Sequence, residues 1–199
     1  MDIQRKIMKK TLIIAALADL LALSAHADII PTLTSVSPSG SNFTWSYNAN
    51  VTGDEKVTTG DFFTIYDFGS IISVTNTQPA GWTFSSQNLG ITPPSLVGAA
   101  GLTDNGAVLN LSWAYSGPTI IGPQALGVFS VQTTVNSTRI SQFTAEATRS
   151  TGPEVGSKID NIGEVTVPVP EMSALTPMLA ICGLTIVGLM TSRWHRRTS

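Results

Sequence analysis

The stretch AVLNLSWAYSG, Ala107 to Gly117, decides the fold. Ala107, Leu109, Leu111, Trp113 and Tyr115 alternate along it, so an extended chain puts all five on one face. A period of two is the mark of a half-buried strand. The same alternation recurs on both sides. SNFTWSYNA places Phe43, Trp45 and Tyr47 on one face. DFFTIYDF places Phe63 and Ile65 on one face and Phe62, Tyr66 and Phe68 on the other. ALGVFSVQTTV aligns Gly127, Phe129, Val131, Thr133 and Val135, and SQFTAEATR aligns Phe143, Ala145 and Ala147. SIISVTN, GWTFSSQ and GEVTVPVP add shorter runs rich in β-branched or aromatic residues.

Turn signals separate these runs: SPSG, TGD, QPAG, DNG and SGP. Asp104-Asn105-Gly106 predicts a hairpin, because Asn-Gly suits the positive φ angles of a type I′ turn. Seven to nine strands in one domain, with no amphipathic helix of three turns, predict an all-β fold, an antiparallel β-sandwich. An immunoglobulin-like Greek key is the first expectation and a jelly roll the alternative. NFTWSY (42–47) and NLSWAY (110–115) echo each other. They read as an internal duplication, as strands with equivalent roles, or as ordinary reuse of aromatics and hydroxyls. Either way the tryptophans are expected to point into the core, since one face of a sandwich strand is buried.

The two ends differ from this body. Arg5, Lys6, Lys9 and Lys10 precede an apolar run from Thr11 to Ala25, interrupted by Asp19. Ala25-His26-Ala27 is a small-x-small site, which predicts a signal peptide over 1–27, cut before Asp28. At the other end Ser173 to Ser192 carries no charge. As a helix it spans about 30 Å, the thickness of a bilayer core. The basic end 193–197, with Arg193, Arg196 and Arg197, favours the cytoplasmic side. The precursor is therefore expected to cross a membrane once, body outside.

Between the ends, Asp28 to Pro170 holds ten acids against four bases, a net charge of −6. Without a basic cluster it does not suit nucleic acid, whose binding rests on cations displacing counterions. Cys182 is the only cysteine and lies in the tail, while His26 and His195 also lie outside the body. This excludes Ser-His-Asp or Cys-His catalysis and a Cys/His zinc site within the body. Disulfides cannot staple it either.

Carboxylates are the catalytic resource that is left. Asp61 and Asp67 flank FFTIY, and six positions along a straight strand put them roughly 20 Å apart, too far for a glycosidase pair. TGDEKVTTGD offers Asp54, Glu55 and Asp61 as calcium ligands, though it lacks an EF-hand pattern and solvated loop acids explain it as well. Asn-x-Ser/Thr occurs at Asn42, Asn50, Asn110 and Asn136, as a Ser/Thr-rich chain produces by chance. The expectation is a non-enzyme with no catalytic residues, no bound metal and no cofactor.

Val169-Pro170-Glu171, then the apolar span, then the Arg-rich end, resembles the PEP-CTERM sorting signal of bacterial exported proteins. In that family a Pro-Glu-Pro motif precedes the helix. Pro170 and Glu171 match its first two positions, and Met172 stands at the third. The resemblance covers 168–199 and implies processing by an exosortase, a membrane-embedded cysteine protease or transpeptidase, in bacteria that make exopolysaccharide or biofilm matrix. GDFFTIYDFGS and PAGWTFSS also resemble a stretch in uncharacterised members, which implies no activity. The physics of the tail agrees: Pro168 and Pro170 hold the chain extended and open to a protease.

Three regions are thus expected: signal peptide 1–27, exported sandwich 28–167 and sorting tail 168–199. The implied partners are the translocon, signal peptidase, an exosortase, the membrane before processing, and exopolysaccharide at the cell surface or outside. A structural or adhesive role comes first. A carbohydrate-binding module, with Trp82 or Trp113 stacking on sugars, and a simple C-terminally anchored surface protein are the alternatives. A surface hydrolase comes last.

Overall fold

The computed structural model describes residues 29–69, 71–72 and 76–169. Ala25, Ala27, Asp28, Pro170, Glu171, Met172, the apolar span 173–192 and Arg193, Arg196 and Arg197 lie outside the described residues. The body consists of strands β1 (Ile29–Ser39), β2 (Asn42–Val51), β3 (Glu55–Val57), β4 (Phe62–Ile65), β5 (Trp82–Gln87), β6 (Asn110–Tyr115), β7 (Ile120–Ile121), β8 (Gln124–Thr133), β9 (Thr138–Arg149) and β10 (Lys158–Pro168). A 3-10 turn at Pro94–Leu96 is the one helical element among the described residues.

All strand pairs are antiparallel. One sheet runs β1-β2-β8; the other holds the remaining seven strands. In the larger sheet β4 and β3 lie end to end along one side of β9, at Phe62↔Glu146 and Glu55↔Arg149. β10 covers the other side of β9 over its whole length, from Lys158↔Thr148 to Pro168↔Thr138. β5-β6 extends the sheet beyond β4, and β7 pairs with β3.

The alternation places the core. Leu111, Trp113 and Tyr115 of β6, Phe63 and Ile65 of β4, and Phe143, Ala145 and Ala147 of β9 face Trp45, Tyr47, Phe129 and Val131 of the smaller sheet. Phe63 stacks on Trp113 at 5.0 Å and meets Phe129 edge-on at 5.0 Å. Trp82 adds edge contacts to Phe129 at 5.1 Å and Phe63 at 5.7 Å. Such pairs contribute about 0.5–1.5 kcal/mol each beyond area burial. The two echoing motifs fall on opposite sheets, and both tryptophans are fully buried, as the core reading expects.

Three expectations need correction. Phe68 does not share a face with Phe62 and Tyr66. Asp67 has φ +50°, which breaks the alternation and turns Phe68 into the main core, edge-on to Trp45 at 6.1 Å and Tyr47 at 6.3 Å. The left-handed turn is held from outside: Asn110 Oδ1 accepts the Asp67 N–H at 2.6 Å, and Arg139 donates to its carbonyl.

Asp104-Asn105-Gly106 is not a two-residue hairpin but part of the long connection 88–109 between β5 and β6. Asp104 accepts bonds from Gly90 N–H and the Asn110 amide, and Asn105 Oδ1 accepts the Ala107 N–H at 3.1 Å. These bonds tie the segment down as an Asx turn. Finally, β1 was not expected. Pro31 and Pro38 mask it in the sequence, and they fit because β1 is an edge strand, bonded to β2 alone.

Trp113→Ala should cost about 3–5 kcal/mol, measured by denaturant unfolding. Burial also raises the pKa of the Tyr47 phenol far above the ordinary tyrosine value, and that of Tyr66 in the same direction. The fold thus favours the neutral phenols. This contribution is complete below about pH 10 and is lost as pH rises further. Phenolate absorbance from Tyr47 should therefore develop together with loss of β-sheet circular dichroism; full ionisation with the fold intact would contradict this.

Candidate functional site

The outer face of the seven-stranded sheet carries polar side chains that are nonetheless buried. Thr64, Ser112 and Thr144 project there, and connection 88–109 covers them. Thr64 Oγ1 donates to Ile91 O at 2.7 Å and lies 2.8 Å from Ser112 Oγ. The Tyr66 hydroxyl lies 3.0 Å from Thr144 Oγ1 and 2.6 Å from Thr92 Oγ1. Gln142 Oε1 accepts the Thr103 N–H at 2.7 Å, and Ser95 bonds Asp160. A long loop is thereby pinned as a second polar layer, each buried donor meeting an acceptor.

At one corner of this face lies an ionic cluster. Thr58 and Asp61 close the turn between β3 and β4: Thr58 N–H donates to Asp61 Oδ2 at 2.6 Å, and Asp61 N–H donates to Thr58 O at 3.0 Å. Asp61 is fully buried. Thr148 Oγ1, from β9, lies 3.1 Å from both carboxylate oxygens. Lys158, the first residue of β10, reaches in beside Thr148 and contacts Asp61 Oδ1 directly. Its Nζ is 3.3 Å from Glu146 Oε1. Burial alone would lower the Lys158 pKa, but Asp61 and then Glu146 outweigh it and hold the ammonium above the ordinary lysine value.

The other acids are dispersed. Asp67 sits at the far end of β4 from Asp61; its Oδ1 accepts the Asn105 N–H at 2.9 Å, and burial raises its pKa against that bond and the Arg139 charge. Asp54 faces Thr151, Glu55 is buried against Thr52, and Glu154 lies 3.8 Å from Arg149. Asp54, Glu55 and Asp61 do not converge as calcium ligands, and no group of three His, Cys, Asp or Glu able to hold a metal ion occurs among the described residues. The turn points each side chain at a different neighbour.

The sugar-stacking reading of Trp82 and Trp113 is overturned. Trp82 is 5% exposed and Trp113 is 0% exposed, both within the ring cluster. Asn110 is likewise fully buried, so its sequon is closed in the folded protein. Of the tail motif, Val169 is described: it is 40% exposed, and its N–H donates to Ser137 O at 3.0 Å. Between the edge strands β1 and β10 lies a groove of about 310 Å³, lined in part by Ile30, Leu33, Ile140 and Glu164.

Lys158 and Glu146 were not singled out by the sequence. They stand 97 and 85 positions from Asp61, and no spacing rule links them. Thr64→Val keeps the shape of the polar layer while removing two hydrogen bonds. It should cost about 1–3 kcal/mol and speed thermolysin cleavage within 88–109.

No family model matches the chain, and no curated protein matches it. Among solved structures, the chain is similar to ACE19, the collagen-binding subdomain of the Enterococcus faecalis surface protein ACE. The identity is 12% and the TM-score 0.32, over 72% of this chain and 97% of that one. A likeness this loose carries no argument about topology or ligand.

Proposed function

We propose that the chain is an exported protein, processed at its tail by an exosortase and delivered to the cell surface or the extracellular matrix. There its β-sandwich serves a structural or adhesive role in exopolysaccharide or biofilm. An immunoglobulin-like strand order and a membrane-spanning precursor belong to the same reading.

The observation that carries it is how close the last described strand comes to the motif. β10 runs to Pro168, and Val169 N–H donates to Ser137 O. Pro170-Glu171-Met172 follows directly in the sequence. A proline-held segment beside a folded edge would be open to a protease. The apolar span after it would confine that segment to the plane of a membrane-embedded enzyme. Asp54, Glu55, Asp67 and Glu154 each turn to a separate structural partner, which supports a body that binds or builds.

The deciding measurement is the mass of the mature protein from its host, with both termini sequenced. The expected product begins at Asp28 and ends near Pro170–Met172, without Ser173–Ser199. Replacing Pro170 and Glu171 together by alanine should leave the full-length chain in the inner membrane. An intact tail on the wild-type protein would make the segment a plain anchor.

A further inference from the structure

The corner cluster has more than an ion pair requires. Asp61 is 0% exposed, and its two oxygens share Thr148 Oγ1, 3.1 Å from each, but otherwise face different groups. Oδ2 receives Thr58 N–H at 2.6 Å, with the Thr58 and Thr148 hydroxyls each at 3.1 Å. Oδ1 faces Lys158 Nζ, and that nitrogen has Glu146 Oε1 on another side at 3.3 Å. The three side chains come from three elements whose register is fixed, Lys158↔Thr148 between β10 and β9 and Phe62↔Glu146 between β4 and β9. The lysine side chain is 44% exposed, so it enters from solvent and ends against a carboxylate that water does not reach.

This arrangement suits an acyl transfer: an amine in contact with one carboxylate oxygen, donors around the second, and another carboxylate beside the nitrogen. We propose that Lys158 and Asp61 condense into an intramolecular amide crosslink, with Glu146 relaying the protons.

Glu146 first takes a proton from the ammonium, which its neighbours otherwise hold in the charged form. The nitrogen lone pair attacks Asp61 Cγ; the C–N bond forms as the carbonyl π bond opens onto Oδ2. The Thr58 N–H and the two threonine hydroxyls stabilise that oxyanion. Glu146 passes its proton to Oδ1, takes a second from the nitrogen and delivers it as the Cγ–Oδ1 bond breaks. One water leaves, Glu146 is again a carboxylate, and no oxidant or reductant is needed. Two effects drive the condensation. Oriented neighbours react at effective molarities on the order of 10⁵ M or more, far above the concentration of water. A neutral amide also replaces a buried charge whose desolvation is costly.

The experiment uses the full chain, expressed with export and purified folded, then denatured and digested with trypsin. The crosslink blocks cleavage after Lys158 and joins the peptide from Ser150 onward to peptide 57–139, one water lighter than their sum. Glu146→Gln should slow crosslinking by roughly 10²-fold or more, and Glu146→Asp should restore most of it. Lys158→Arg and Asp61→Ala should abolish it. Complete cleavage after Lys158 in folded wild-type protein would overturn the crosslink whatever the variants do. Wild-type crosslinking in Glu146→Gln would overturn the relay.

Discussion

Phe129 lies on the smaller sheet and inserts its ring among Phe63, Trp82 and Trp113 of the larger one, at 5.0, 5.1 and 5.6 Å. The described body has no cysteine, so the two sheets are joined by what they bury between them. The edge-on contacts fix the spacing and the azimuth of one sheet against the other, because ring quadrupoles favour that geometry. A second group, Trp45, Tyr47 and Phe68, closes the interior beside it. It depends on the left-handed turn at Asp67, a conformation that most residues with a side chain avoid and Asp tolerates better than most. Without the Asn110 and Arg139 bonds that hold this turn, Phe68 would follow the strand's alternation outward and the second group would lose its centre.

The same two-residue period that builds the core also builds the outer polar layer. When Phe63 and Ile65 point inward, Thr64 must point outward. In most sheets that position meets water. Here connection 88–109 returns across it, so the hydroxyls bond to one another and to the loop backbone. The charged corner is the end of this layer, where the loop gives way to the β9–β10 hairpin. Its chemistry follows from burial: a carboxylate sealed from solvent must be satisfied by its neighbours, and the cation that meets it is a lysine from β10, on the far side of β9.

The strands were legible in the sequence because alternation is local. Trp113, Tyr115, Phe63, Phe129 and Ala145 each declare their face through neighbours two positions away. β1 was hidden because its prolines argue against a central strand, and nothing local distinguishes an edge. Phe68 was misplaced because its face depends on a turn held by Asn110 and Arg139, distant in the chain. Asp104-Asn105-Gly106 had hairpin chemistry, but tertiary bonds recruited it elsewhere. The corner cluster was invisible for the same reason: Asp61 was noticed as an acid, while its partners arrive only through the register of β9 and β10. The tail motif is the reverse case, read from sequence alone, with Val169 the point at which the structure meets it.

The β10–β9 ladder has a mechanical consequence. β10 pairs with β9 over eleven register positions, and the bond from Val169 N–H to Ser137 O carries the ladder one position further. A pull applied at Val169 along the strand direction acts parallel to the strand. The hydrogen bonds between β10 and β9 then bear the load side by side instead of opening one after another. A ladder loaded in shear resists force far better than one that is unzipped, so this edge of the sheet is strongest along its own length.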